Sequence, residues 1–322
     1  MYPPAGGEST ERTYMDLMDG NAVRNFLLNK GIAFKEGEIM ANHTTYKTGG
    51  RAEFLALPDS DDQVCALLLF CKETRISFRV VGGGSNIIVD DNGLRGLTIK
   101  CGDRFSSIRE AGEGILFCQA GCSMKDVSEK ACALGITGFE FLFDIPGTTG
   151  GGIFMNAGND QGQIKDLLDS VRYVNQSGET KEAKARELNF GYRSSRFQTS
   201  GEIILGGYFK LAEQGDREAI REKMEAIKSE RWKKFPMEYP NAGSVFKRPS
   251  GDYAGRLIEV SGCSGMRIGD AQVSPKHKGF IINVGHATSH DIVCLINAVQ
   301  TRVKEATGVE LQLEQRVMGN RV

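Results

Sequence analysis

The stretch Phe78-Arg-Val-Val-Gly-Gly-Gly-Ser-Asn-Ile-Ile-Val89 decides the fold, because it joins two apolar runs through a glycine loop. The β-branched runs from Phe78 to Val81 and from Ile87 to Val89 predict two strands. Glycine residues can adopt positive φ and let main-chain N–H groups converge on an anion, so the loop is a candidate phosphate cradle. A tight hairpin turn is the alternative. The loop matches neither the dinucleotide fingerprint nor the P-loop.

A second glycine-rich stretch follows later in the chain, Gly138-Phe-Glu-Phe-Leu-Phe-Asp-Ile-Pro-Gly-Thr-Thr-Gly-Gly-Gly152. It runs into Met155-Asn-Ala-Gly158 and, like the first stretch, it follows an apolar segment. Separate loops of Gly, Thr and Ser, each after a strand, favour a long ligand that carries a diphosphate. A pair of unrelated turns remains the alternative at this point.

Composition and charge exclude several classes of protein. A chain of 322 residues is long for one core and predicts two or three subdomains. Apolar residues make up 40% and charged residues 25%, as in a packed soluble protein. A formal net charge of -1 gives no electrostatic reason to expect nucleic acid or a membrane surface as partner. The longest apolar run, Val64 to Cys71, is far too short to cross a bilayer.

The cysteines predict neither a metal site nor a disulfide framework. The eight cysteines form no C-x-x-C motif and do not alternate with histidines at zinc spacing, so no metal is expected. Cys118 and Cys122, the closest pair, are predicted to be buried free thiols. A reducing cytoplasmic location follows. The N-terminus lacks the basic and apolar regions of a signal peptide.

Local patterns predict elements in the middle of the chain. A helix is expected from Met124 to Leu134, with Ser123 as its N-cap and Gly135 just beyond its end. The segments Leu167 to Val174 and Glu179 to Ala183 predict a β-hairpin.

The last third of the chain has a different composition. A charged helix is expected after the shift at Ala212 to Asp216, where we predict a domain boundary. A closing helix is predicted that begins at Thr288 or Ser289 and stops before Gly308. The alternating segment from Val309 to Val317 predicts a strand.

Four polar places in the chain could perform chemistry, and each has a structural alternative. Arg193 and Arg196 could hold a carboxylate or stabilise an enolate, or they could pair with a surface acid. Ser244 could donate a proton at a turn, or cap its own backbone. Glu314 lies on a polar strand face that could be an exposed edge. The basic cluster from Lys276 to Lys278 is predicted to be solvated.

Taken together, these motifs resemble those of the flavin-dependent UDP-N-acetylenolpyruvoylglucosamine reductases of bacterial peptidoglycan synthesis. They occur in the order of that family over most of the chain, and the short join from Leu211 to Arg217 is similar to its shorter, second subtype. The matching segments are Asn42–Gly50, Val81–Asn86, Ile145–Gly151, Asn156–Gly158, Gly191–Phe197, Tyr239–Lys247, Ala254–Glu259, Gly269–Ser274 and Glu314–Arg316.

The resemblance implies an α+β fold with an FAD-binding domain of the vanillyl-alcohol-oxidase (PCMH-type) kind in two subdomains, and a C-terminal α+β substrate-binding domain. The corresponding ranges are a disordered extension over 1–14, FAD-binding subdomains over 15–100 and 101–213, and a substrate-binding domain over 214–322. The last strand of that domain is expected to return Glu314 to the active site.

The resemblance also implies the reaction and its site. NADPH would reduce non-covalently bound FAD, which would reduce UDP-N-acetylglucosamine enolpyruvate to UDP-N-acetylmuramate. Ser244 would donate a proton to Cα, while Arg193 and Glu314 would stabilise the enolate-like intermediate. Substrate contacts would come from Arg231, Lys234 and Gln272. The FAD contacts would be Val81, Gly82, Gly83, Gly84, Ser85, Asn86, Ile145, Pro146, Gly147, Thr148, Thr149, Gly150, Gly151 and Asn156.

Three positions depart from the pattern of the family. Asp160 stands where the family usually has tyrosine, Asp144 replaces a small residue, and Gln315 replaces valine. An FAD-dependent oxidase on the same scaffold is the second hypothesis, although no histidine lies in either glycine-rich loop to tether a flavin. A non-catalytic flavin-binding module is the third. A monomer is expected.

Overall fold

The first glycine-rich loop belongs to a unit built on a four-stranded sheet. The computed structural model describes residues 20–211 and 213–319, so the extension predicted over 1–14 lies outside the described residues. The elements of this unit are helix α1, described over 20–29, β1 (Ala33–Ile39), β2 (Arg51–Leu57), α2 (Asp61–Thr74), β3 (Phe78–Val81), β4 (Ile87–Val89) and β5 (Leu94–Lys100).

The sheet of this unit has the order β1-β2-β5-β3, with β2 and β3 both parallel to β5. Helix α2 begins after Ser60, whose hydroxyl accepts a hydrogen bond from the N–H of Gln63. Its buried side chains Val64, Leu67 and Leu68 pack on the sheet as part of the main hydrophobic core. The glycine loop therefore leaves the carboxyl end of the parallel edge strand β3, a common position for a ligand site.

The second unit is built on a five-stranded antiparallel sheet of order β12-β11-β13-β7-β6. Its strands are β6 (Ile108–Glu110), β7 (Ile115–Gln119), β8 (Ile136–Thr137), β9 (Gly158–Asn159), β10 (Gly162–Gln163), β11 (Leu168–Val174), β12 (Thr180–Lys184), β13 (Ile203–Lys210) and β14 (Glu213–Gln214). Its helices are α3 (Met124–Ala133), α4 (Thr149–Met155), α5 (Ile164–Leu167) and α6 (Phe197–Ser200).

Two local predictions for this unit are confirmed. Ser123 caps α3 by accepting a hydrogen bond from the N–H of Asp126, and Gly135 follows the helix with a φ of 73°. Strands β11 and β12 pair antiparallel, as the hairpin prediction requires. Cys118 and Cys122 are buried free thiols, which is also as predicted.

The third unit contains α7 (Arg217–Lys234), α8 (Ala254–Val260), β15 (Arg267–Ile268), β16 (Ala271–Val273), β17 (Ile281–Asn283), α9 (Ser289–Thr307) and β18 (Arg316–Met318). Helix α9 begins with a capping box between Thr288 and Asp291 and ends at Gly308, which confirms the predicted closing helix. It packs on the sheet of order β15-β16-β17. Short 3-10 turns lie at Met40–His43, Asp103–Phe105, Glu140–Leu142 and Ala185–Glu187.

Helix α7 lies against the second unit. Its side chains Ile220 and Met224 form a small buried cluster with Cys132 and Phe143. Most of the third unit has a separate core that includes Ile292, Leu295 and Ile296 of α9 and also the buried Tyr46 of the first unit. Among the described residues, no helix is long and apolar enough to span a membrane.

The closing strand corrects two expectations. The continuous strand predicted from Val309 to Val317 is wrong, because only β18 has regular strand pairing and Leu313 makes an isolated bridge with Phe246. Strand β18 pairs parallel with β4, whereas β3 pairs with β5. The hairpin alternative for the first glycine loop is therefore wrong as well, since its flanking strands lie in different sheets. The loop connects β3 of the first unit to β4, which pairs with β18 near the end of the chain.

Candidate active site

A cavity of about 1740 Å³ lies where the three units meet. It is larger than the roughly 300–1,000 Å³ that a drug-sized ligand needs. Both glycine-rich loops line it, and so do the segments around Arg193, Ser244 and Glu314. The structure thus brings together the three side chains that the sequence singled out for chemistry.

The two glycine-rich loops touch each other in the wall of the cavity. A Cβ at Gly82 would lie 2.3 Å from Oγ1 of Thr148, and a Cβ at Gly83 would lie 3.0 Å from the Cα of Gly147. The hydroxyl of Ser85 donates a hydrogen bond of 3.0 Å to the carbonyl of Pro146. Side chains at the glycine positions would push the loops apart, so the absence of Cβ atoms permits this close approach.

The first loop has the features of a diphosphate cradle. Gly84 has a φ of 69°, and a Cβ there would lie 1.9 Å from the carbonyl oxygen of His43. Within residues 20–211 and 213–319, the main-chain N–H groups of Gly82, Gly83 and Gly84 have no protein acceptor. Free N–H groups on glycine backbone are donors suited to phosphate oxygens, so this loop fits the diphosphate of FAD.

Of the residues predicted to contact FAD, all but two line the cavity. Thr149 and Asn156 lie behind its wall and are both fully buried. The hydroxyl of Thr149 donates to the carbonyl of Cys122, which anchors the first turn of α4. The amide of Asn156 donates to the carbonyl of Gly191 at 2.8 Å, which supports the loop that carries Arg193. The structure gives both residues a supporting position rather than direct contact with the cavity.

Arg193 and Glu314, which both line the cavity, form an ion pair of 2.9 Å. Arg193 has a φ of 52°, which side chains larger than glycine rarely adopt, and its Nη2 donates to the carbonyl of Gly158 at 2.8 Å. The guanidinium therefore has a fixed place and direction. The alternative of a surface pairing for Arg193 is wrong, because its acid is a cavity residue.

Glu314 is not on an exposed sheet edge, which was the alternative for this residue. Its side chain is 13% exposed, and burial raises its pKa although Arg193 and then Lys247 act in the opposite direction. Its main-chain N–H donates to the carbonyl of Val245 at 2.9 Å, and its carbonyl accepts from the amide of Asn86 at 3.3 Å. Glu314 thus connects the first glycine loop with the turn that carries Ser244.

Ser244 lies in the turn that Glu314 contacts, and its side chain is accessible from the cavity. It follows Gly243, which has a φ of 74°, and its backbone forms an isolated bridge with Phe280. The N–H of Gly243 donates to Oδ1 of Asn241 at 3.0 Å. The turn presents the serine hydroxyl to the cavity, where it can donate a proton to a bound molecule.

The predicted substrate residues do not all reach the cavity. Arg231 lines it, forms an ion pair of 2.8 Å with Asp144 and lies over the ring of Phe235. Lys234 lines it as well. Among the described residues, the lining does not include Gln272, whose amide instead donates to the carbonyl of Gly265 at 3.2 Å. This bond holds the side chain of Gln272 against the turn that precedes β15.

The basic cluster from Lys276 to Lys278 is a part of the site that the sequence did not reveal. All three residues line the cavity. The imidazole of His277 is half-buried beside the rings of Phe235 and Phe280, so the prediction of a solvated cluster is wrong for this residue. Burial, then Lys234, lower its pKa. The many basic residues between 231 and 278 were the signal in the sequence that could have identified this basic part of the cavity lining.

Asp160 lines the cavity as an exposed carboxylate. In the described part of the chain, no group of three His, Cys, Asp or Glu side chains could hold a metal ion.

Sequence profiles of known families match two regions of the chain. The profile of the FAD binding domain matches residues 52–184, and the profile of the UDP-N-acetylenolpyruvoylglucosamine reductase C-terminal domain matches residues 235–318. The reductase of Geobacillus kaustophilus is 41% identical over 312 residues, which are 97% of this chain and 99% of the relative. The chain belongs to the UDP-N-acetylenolpyruvoylglucosamine reductase family.

Other members of the UDP-N-acetylenolpyruvoylglucosamine reductase family agree with this assignment. The reductase of Geobacillus thermodenitrificans is 42% identical over 282 residues, covering 88% of this chain and 92% of the relative. The solved structure of the reductase from Thermus caldophilus has a TM-score of 0.75 and 30% identity, and the match covers 89% of this chain and 98% of that one.

Membership in the reductase family confirms the predicted α+β fold, with its FAD-binding domain and separate C-terminal domain. It also confirms an FAD-containing oxidoreductase, so the alternative of a non-catalytic flavin-binding module is set aside.

Proposed function

We propose that the protein reduces UDP-N-acetylglucosamine enolpyruvate to UDP-N-acetylmuramate for peptidoglycan synthesis, with NADPH as hydride donor. The observation that carries this proposal is that Arg193, Glu314 and Ser244 line one cavity together with the two glycine-rich loops. A diphosphate cradle beside a proton donor and a cation fits a flavin-linked reduction better than an oxidation that needs no proton donor.

The proposal assigns the flavin to the loops at 82–86 and 145–151. FAD bound there supplies two-electron hydride chemistry. The free N–H groups of Gly82, Gly83 and Gly84 would hold its diphosphate, and the second loop, which contacts the first, would line the same binding site. In this assignment residues 15–100 and 101–213 bind the cofactor, while 214–322 supply the substrate side of the cavity.

Arg193 acts on the charge that develops during reduction. Hydride addition to the terminal carbon of the enolpyruvyl group leaves negative charge on Cα and the carboxylate. A guanidinium has five N–H donors. Those of Arg193 already reach Glu314, Gly158 and Asn156, so donors remain for the substrate carboxylate. Glu314 orients the guanidinium by holding its Nε, and so contributes through direction rather than through its own charge.

Ser244 completes the reduction by donating the proton from its hydroxyl to Cα. Serine is a weak acid, but a carbanion next to a carboxylate is basic enough to accept its proton. The basic side chains of Arg231, Lys234 and Lys276, which line the same cavity, are then available for the negatively charged diphosphate of the UDP-sugar.

The first experiment follows the visible absorbance of the purified protein under anaerobic conditions. Addition of NADPH is expected to bleach the bound flavin, and subsequent addition of UDP-N-acetylglucosamine enolpyruvate is expected to restore its colour. A flavin that oxygen reoxidises readily but the sugar does not would instead favour the oxidase hypothesis.

A substitution then separates the two half-reactions. Ser244→Ala is expected to keep bleaching by NADPH and to slow the recovery of colour by about 10²- to 10⁴-fold, the usual contribution of a general acid. The control is Ser250→Ala, because Ser250 is exposed in the same unit but does not line the cavity. Equal loss in both half-reactions, or no loss in either, would show that Ser244 is not the proton donor.

A further inference from the structure

A buried polar network lies directly behind the turn that carries Ser244. Gln315 is 3% exposed and Tyr46 is completely buried. The hydroxyl of Tyr46 donates to Oε1 of Gln315 at 3.0 Å. The Nε2 of Gln315 in turn donates to the carbonyls of Ala242 and Gly243, at 3.0 and 3.3 Å. The side chain of Gln315, near the end of the chain, therefore joins the first unit to the turn that carries Ser244.

The donor and acceptor roles in this hydrogen-bond network are fixed by Tyr46 at one end and by the main-chain carbonyls of the turn at the other. Burial raises the pKa of Tyr46, so its hydroxyl keeps its proton and acts as a donor. Oxygen of the Gln315 amide must face that hydroxyl, which directs the amide nitrogen to the carbonyls of the turn. The backbone of Tyr46 is itself anchored, because its carbonyl accepts from the amide of Asn283 at 3.1 Å.

Packing holds the residues on either side of Gly243 and Ser244, because Ala242 and Val245 are buried in the core of the third unit. Gly243 itself has a φ of 74°, and a Cβ there would meet no described atom within 4 Å, so hydrogen bonds contribute most at this point of the turn. The segment that ends the chain holds the turn from both sides. Gln315 binds the two carbonyls before Ser244, and the N–H of Glu314 binds the carbonyl of Val245 after it.

We propose that Gln315 is a positioning residue for Ser244, holding the serine hydroxyl at the place from which it donates its proton. The inference rests on the function proposed above and adds a residue that does not touch the substrate. Proton transfer needs the donor within hydrogen-bond reach of the carbon it protonates. The adjacent Glu314 is bonded to Arg193. The neighbouring residues Glu314 and Gln315 therefore position both the cation and the proton donor for the same substrate.

The test removes the amide but keeps the shape of the side chain. Gln315→Met is expected to slow the sugar-dependent recovery of flavin colour by about ten- to a hundredfold, the cost of a misplaced catalytic group. Bleaching by NADPH and the KM for the sugar are expected to stay unchanged, because Gln315 lies behind the turn and not in the cavity lining. Tyr46→Phe is expected to act in the same direction with a smaller effect, because the amide keeps its bonds to the turn.

A combined variant distinguishes positioning from general destabilisation. If Gln315 acts through the serine hydroxyl, Gln315→Met causes no further loss of rate in a Ser244→Ala background. The matched control is Gln300→Met, which removes another bond from a glutamine amide to a main-chain carbonyl, that of Leu311 at 2.8 Å. It is expected to lower the melting temperature as Gln315→Met does, without slowing the recovery of colour.

The outcomes separate this inference from the proposed function. If the unaltered protein shows no recovery of colour with the sugar, or Ser244→Ala recovers normally, the proposed function fails. If both behave as expected but Gln315→Met recovers at the normal rate, or loses the same factor with and without the serine hydroxyl, Gln315 is not a positioning residue. A melting-temperature cycle of Tyr46→Phe, Gln315→Met and the double variant must also show coupling, because the two side chains share one hydrogen bond.

Discussion

Replacing Gly82 with alanine tests the contact between the two glycine-rich loops. The φ of Gly82 is not in the left-handed region, so alanine brings no backbone strain there. Its added Cβ would lie 2.3 Å from Oγ1 of Thr148, whereas ordinary contact begins at 3.4 Å. The hydroxyl would have to move away by the difference, 1.1 Å. Because Oγ1 is attached directly to Cβ of Thr148, it cannot move that far without moving the loop or breaking its bond to the N–H of Gly151.

The size of the effect follows from this displacement. Forcing an extra methyl group into a packed contact costs about 1–3 kcal/mol. If this cost falls on the loop arrangement that binds FAD, the affinity for FAD decreases by about 5- to 150-fold. The second expectation is a suppressor: Thr148→Ala removes the hydroxyl in question, so the double variant Gly82→Ala with Thr148→Ala is expected to bind FAD more tightly than Gly82→Ala alone.

The assay is the FAD content of purified protein, followed by titration of FAD into protein from which it has been removed. Gly20→Ala is the control, because among the described residues a Cβ at Gly20 would meet only the ring of Phe54 at 3.8 Å, and Gly20 does not line the cavity. Normal FAD affinity in Gly82→Ala would refute the loop contact. Failure of Thr148→Ala to restore binding would refute the assignment of the clash to that hydroxyl.

Two further expectations concern charged residues of the cavity. Burial raises the pKa of Glu314 above 4.5, the ordinary value for glutamate, so acidification should already protonate Glu314 above that pH. Protonation breaks the ion pair with Arg193 and is therefore expected to slow the sugar-dependent half-reaction. Because the pKa of Glu314 is raised in the folded state, this group stabilises the fold most at low pH and less as the pH rises, so its titration cannot slow the reaction by unfolding the protein. If the rate of Glu314→Gln still decreases at acidic pH, the assignment of the pH dependence to Glu314 is wrong. Arg231→Met should raise the KM for the sugar about tenfold, since a hydrogen bond to a charged group is lost, and leave bleaching by NADPH unchanged. Lys233→Met is its control on the same helix, and equal KM values would argue against an Arg231 contact.

Local elements were largely predictable, because short-range patterns specify them. The caps of α3 and α9 and the hairpin of β11 and β12 follow from residues within a few positions of each other. The closing strand was predicted too long, because alternation of side chains from Val309 to Val317 does not provide a partner strand. Only Arg316–Met318 finds one, in β4.

The candidate site was predictable as a set of residues but not as an arrangement. Arg193, Ser244 and Glu314 were each singled out together with a structural alternative, and their tertiary contact excludes the surface alternatives for Arg193 and Glu314. For Thr149, Asn156 and Gln272, the motif gave no means to tell a residue of the cavity lining from one behind it. Gln315 stood out only as a departure, and its partners Tyr46 and Ala242 are distant in sequence.

By itself, the amino-acid sequence determined the family, the glycine loops and most helices and strands, because these depend on residue type and on spacing over a few positions. Only the tertiary structure decided that β3 and β4 lie in different sheets, so that the end of the chain returns to the first glycine loop. The physical reason is that strand pairing, ion pairs and buried hydrogen bonds join residues far apart in the chain, as between Arg193 and Glu314 or between Tyr46 and Gln315. Such contacts exist only once the three units have packed around the cavity.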